Sequence, residues 1–209
     1  MRIRWTIATC LIALLLTVSP VLAFQENQTQ IENMVRKQDA VLKTEVFEVG
    51  ALEGIDDSRI AVTAVKVTDL STQENRTGLA ALIVSPREKS FQQVFIDSAE
   101  LENLIKAVDQ IWNNKIKAAP NKGVQLSYMT NGRFGVSFIE LQVPRGDSDE
   151  EVRFVTVSAG GFNGMDSSFQ FDDIDDYEDL DGTASFFKLE SLRDIRELLV
   201  EGKTALDSI

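Results

Sequence analysis

Histidine is missing from all 209 residues, and the single cysteine is Cys10. A chain without imidazole and nearly without thiol lacks the side chains most used for nucleophilic, acid–base and transition-metal chemistry. No intramolecular disulfide can form from one cysteine, so stability has to come from an ordinary hydrophobic core, which a chain of this length can supply.

The first residues say where the chain goes. Arg2 and Arg4 precede an apolar run from Ile7 to Val18, and Val21-Leu22-Ala23 sets small residues at the −3 and −1 positions of a signal-peptidase site. Residues 1–23 are therefore expected to be a secretory signal, removed together with Cys10 and Trp5, so that the exported protein begins at Phe24. A retained anchor would want about 20 unbroken apolar residues, whereas this run stops at Ser19-Pro20. A lipoprotein would need its cysteine at the cleavage point, and Cys10 lies inside the apolar run. The expected location is secreted or periplasmic, with no stable membrane anchor after cleavage.

The whole chain carries a net charge of −12; loss of the two leader arginines leaves 19 basic and 33 acidic residues, a net charge of −14. A field of that sign opposes nucleic acid and anionic lipid and favours cationic partners or divalent ions. Hydrophobic residues make up 44% of the chain and are spread along it, which argues against disorder.

Residues 24–40 are polar, with Ile31, Met34 and Val35 as the main apolar points, and read as a tether or one short helix at most. A single α+β domain is expected over 41–209. Strand patterns run Val41–Val49, Ser58–Val67, Thr77–Ser85 and Phe91–Ile96, with turn-prone segments between them. Leu101, Leu104, Ile105, Val108, Ile111 and Trp112 then recur at helical spacing, behind Asp97-Ser98-Ala99-Glu100, a capping-box pattern. The preceding sheet is the expected surface for this apolar stripe.

After Ala119–Gly123 the pattern returns: Val124–Thr130, Arg133–Val143, Glu151–Ser158 and Ala184–Lys188, then a helix from Ser191 whose buried face holds Leu192, Ile195, Leu198 and Leu199. Asn131-Gly132 predicts a type I′ hairpin. The apolar phase changes from Phe134, Val136 and Phe138 to Ile139, Leu141 and Val143, which predicts a bulge or bend near Phe138. Phe95-Ile96 with Leu101, Leu104 and Val108 matches Phe186-Phe187 with Leu192, Ile195 and Leu199 at equal spacing. The expectation is thus an α+β fold of curved antiparallel sheet on two amphipathic helices, with 41–118 and 124–206 as repeats of one four-strand-plus-helix unit.

Candidate chemistry is thin. Asp172, Asp173, Asp175, Asp176, Asp179 and Asp181 form the densest polar cluster, and Ca²⁺ takes six to eight oxygen ligands of this kind. Their spacing is not that of an EF-hand, and a solvated acidic loop between strands is the preferred reading, so no cofactor is assigned beyond this calcium alternative. Ser185-Phe186-Phe187-Lys188 fits S-x-x-K, but on a strand positions i and i+3 point to opposite faces. The glycines Gly160, Gly161 and Gly164 match neither G-x-G-x-x-G nor a P-loop. The sequence therefore points to an exported, acidic, non-catalytic binding or structural module with a protein or cell-surface partner. The competing classes are a carboxylate-based hydrolase acting on extracellular polymer, which would need two buried acids in one cleft, and a calcium-dependent scaffold.

Overall fold

The structure is a computed structural model that describes residues 28–85, 89–114, 123–145, 148–160 and 183–209. Alternation and β-branched residues build β1 (Leu42–Glu53), β2 (Arg59–Asp69), β3 (Asn75–Ser85) and β4 (Ser90–Asp97), an antiparallel meander in the order β1-β2-β3-β4. The helix α2 (Leu101–Asn113) follows. A second meander, β5 (Val124–Met129), β6 (Phe134–Arg145), β7 (Ser148–Ala159) and β8 (Thr183–Phe187), leads to α3 (Ser191–Asp207). The class is α+β, and the order of four antiparallel strands followed by a helix occurs twice.

One core joins the two sheets. Ile60, Val62, Leu79, Ile83 and Ile96 of the first sheet share a buried cluster with Phe134, Val136, Val157 and Phe187 of the second, and with Leu104, Val108, Ile195 and Leu199 of the helices. Ser185 ties the sheets together, its hydroxyl donating to the Val84 carbonyl at 2.7 Å. Where β8 crosses the first sheet, a Cβ on Gly54 would lie 2.2 Å from the Phe186 carbonyl oxygen, so only glycine lets the strands approach.

The helices are exchanged. α2 packs on β5 and β6 of the sheet that follows it, whereas α3 packs chiefly on β1 and β2 of the first sheet. A Cβ on Gly202 would meet Leu79 Cδ1 at 2.8 Å, and one on Gly50 would meet Leu198 Cδ1 at 3.0 Å, a measure of how closely α3 lies on that sheet. This corrects the expectation that α2 covers the sheet before it. An amphipathic stripe records that a helix is buried on one side and not which apolar face it meets.

Before β1, a short helix α1 (Gln30–Val35) covers part of the first sheet's other face, where Ile31 and Met34 are buried with Val65, Val67 and Ala80. Carboxylates fasten it at both ends. Asp97 accepts from the Gln30 and Ile31 amides at 2.8 and 3.1 Å, and Lys37 reaches Asp69 at 2.5 Å. Asp97 or Ser98 was expected to cap α2, but no side chain caps it, and the Asp97 carboxylate serves α1 instead, an N-terminus remote in sequence. Glu100 likewise accepts from the Asn131 amide at 2.8 Å, holding the β5–β6 hairpin.

That hairpin is not the type I′ turn expected. The Arg133 amide donates to the Thr130 carbonyl at 3.0 Å and Arg133 itself takes φ 65°, giving a three-residue loop with the left-handed position at Arg133. Gly132 is required for space, since its Cβ would lie 2.0 Å from the Phe95 carbonyl oxygen. Of the bulge or bend expected near Phe138, the bulge is absent. β6 keeps one register with β5 and β7, and its apolar phase changes because Phe138 on one face and Ile139 and Leu141 on the other are all buried. The irregular register of the first sheet lies between Glu48 and Gly50 of β1.

Candidate binding surface

The edges of the first sheet are treated differently. β1 carries Lys43, Glu45, Glu48 and Glu53 together with the break in register at Glu48–Gly50, devices that discourage pairing with a foreign strand. β4, at the other edge, has no charged residue from Ser90 to Ile96. The hairpin tip covers its far end, where the Phe95 carbonyl faces Gly132 and not β3. Ladder bonds alternate along a strand, so Phe91 and Gln93 direct their N–H and C=O groups to the same free side as Phe95. Phe91 is 76% exposed, Leu82 beside it on β3 is 38% exposed, and Gln92 and Gln93 are open to solvent. Cross-strand register sets Phe91 against Val84 and Gln93 against Leu82 on the same face as α1, beyond the part that α1 covers. An uncharged edge beside an apolar strip offers backbone pairing and side-chain burial together.

A second concavity lies between α2 and α3. The helices run antiparallel, Trp112 meeting Arg193 and Asp109 meeting Arg196. The Arg193 guanidinium stacks 4.4 Å from the Trp112 ring centre. Arg196 donates through Nε to Asp109 at 2.5 Å, and that carboxylate raises the Arg196 pKa further above its ordinary value. Trp112, expected in the core from its place on the stripe, is half-buried at the rim of this groove.

Two carboxylates among the described residues are almost fully buried. Asp69, at the β2–β3 turn, accepts from Lys37 and from the Ser71 and Thr72 amides, contacts that lower its pKa to about 2. Glu140, on β6, pairs with Arg153 at 2.8 Å. They belong to different sheets and each is neutralised by its own cation, so they do not form the convergent pair a hydrolase would use. Asp109 and Glu197 do share the helix groove, but Asp109 is ion-paired and both are in contact with solvent.

Of the residues singled out from sequence, Ser185 is buried and hydrogen-bonded to backbone carbonyls, while Lys188 is exposed, so S-x-x-K forms no site. Asp172, Asp173, Asp175, Asp176, Asp179 and Asp181 lie outside the described residues, as does the leader. Among the described residues no three Asp, Glu, Cys or His side chains cluster as metal ligands, and no helix is long and apolar enough to cross a membrane. The β4 edge escaped the sequence reading, although its signal was there: a seven-residue uncharged run, Ser90–Ile96, in an acidic chain. The Trp112–Arg193 contact carried no such signal, because it depends on how two distant helices meet. No protein-family model, curated protein or solved structure matches this chain.

Proposed function

We propose that this chain is an exported binding module that takes up an extended segment of a partner protein as a fifth strand on β4. The observation that carries the reading is the contrast between the edges, β1 guarded by charge and β4 uncharged with Phe91 76% exposed. Exposed edges of this kind promote uncontrolled association unless a partner occupies them. The field of a chain with net charge −12 favours an uncharged or basic segment, with apolar side chains at alternate positions to lie on Phe91 and Leu82. The charged leader with its small-residue cleavage site supports export, and mass spectrometry of the secreted protein should find Phe24 as its first residue.

The binding test uses the acetylated amide of Lys-Val-Lys-Val-Lys-Val-Lys as probe, read by hydrogen exchange. Binding should protect the Phe91 and Gln93 amides, and Phe91→Lys should remove that protection while leaving the fold intact. A probe that leaves both amides unprotected at millimolar concentration would overturn the reading. So would sedimentation showing a dimer that Phe91→Lys dissociates, because the edge would then be occupied by a second copy.

A further inference from the structure

We propose that the groove between α2 and α3 is a site for a small organic carboxylate, bound by Arg193 with its apolar body against Trp112. The groove has a volume of about 260 Å³, close to nine waters at roughly 30 Å³ each in the liquid. Val108 and Leu192 close its bottom but are each only 1% exposed, so they offer a ligand almost no surface. Its wall is Trp112, with the Arg193 guanidinium 4.4 Å from the ring centre.

A guanidinium keeps its N–H donors in its own plane, and that fork is how arginine takes both oxygens of a carboxylate. No carboxylate among the described residues holds Arg193. One turn on, Arg196 lines the same groove and donates through Nε to Asp109. Arg193 beside the Trp112 ring thus pairs a cation with apolar surface, which favours an anion with an apolar body. Glu197 stands in the same lining and opposes the ligand's charge. That opposition supplies a test of opposite sign. The site is independent of strand addition on β4 and stands or falls separately.

The experiment uses the full chain carrying Trp5→Phe, which leaves Trp112 as the only tryptophan. Sodium benzoate is titrated at constant ionic strength, with benzamide as the uncharged isostere and acetate as the anion without a ring. Benzoate should change Trp112 fluorescence saturably in the millimolar range, and both controls should bind at least tenfold more weakly. Arg193→Gln should weaken benzoate about ten- to a hundredfold, the worth of a charge-assisted pair of hydrogen bonds. Arg193→Lys, which keeps the charge and loses the fork, should fall between, and Glu197→Gln should tighten binding severalfold. A benzoate response that never saturates, benzamide binding as well as benzoate, or unchanged affinity in both Arg193 variants would each overturn the proposal.

Discussion

Exchange of the helices makes the two halves of the chain dependent on each other, and cutting between them tests this. Residues 28–118 contain the first sheet and α2, and residues 119–209 contain the second sheet and α3. In the intact chain α3 lies mainly on β1 and β2, and α2 on β5 and β6. Separation therefore uncovers Leu192, Ile195, Leu198, Leu199 and Leu206 of α3, together with the first-sheet residues beneath them. At about 1.5–3 kcal/mol for each fully buried aliphatic side chain, those five alone come to roughly 8–15 kcal/mol. This is an upper figure, since denatured chains already bury part of such surface. It nonetheless equals the whole stability of a typical domain, about 5–15 kcal/mol. Neither half should fold alone. Each half should show no cooperative transition in urea by circular dichroism, and an equimolar mixture should recover the helix signal and a single transition. Cooperative unfolding of either isolated half would refute the reciprocal placement of the helices.

Truncating Leu104 or Ile195 to Ala, both almost fully buried, should each cost about 2–5 kcal/mol through the cavity left behind, measured by chemical denaturation. Unchanged stability in both would contradict the helix faces described. Asp69 has its pKa lowered to about 2 from an ordinary value near 3.8. A depressed carboxylate stabilises the fold above its unfolded value, so this contribution should be complete above about pH 4 and disappear as pH falls toward 2. Lys37, raised by the same ion pair, should lose its part only in strongly alkaline solution. Asp69→Asn should flatten the acid limb of the stability–pH curve, and an unaltered limb would show that Asp69 does not govern it.

Periodicity within single segments was enough to read nearly every described element. The alternation of Ile60, Val62 and Ala64, or of Phe134, Val136 and Phe138, marks strands, and the spacing of Leu192, Ile195 and Leu199 marks a helix, because burying one side of a strand or helix imposes its own period on the chain. The hydrogen-bonding roles of polar residues were less legible. The capping-box pattern from Asp97 to Glu100 predicts a local cap by Asp97 or Ser98, yet the amides that Asp97 serves belong to Gln30 and Ile31, brought to it only when α1 lies on the sheet. Gly132 was read through backbone conformation, and its actual demand is the space taken by Phe95.

What the sequence determined by itself was therefore the α+β class, the order of strands and helices and the acidic charge, since each follows from near neighbours or from composition. The tertiary structure decided which sheet each helix covers, which edge is left open at Phe91, and which arginine meets Trp112. Those outcomes depend on contacts between residues far apart in the chain, and hydrophobic burial, being non-directional, specifies that an apolar face is covered without specifying by what.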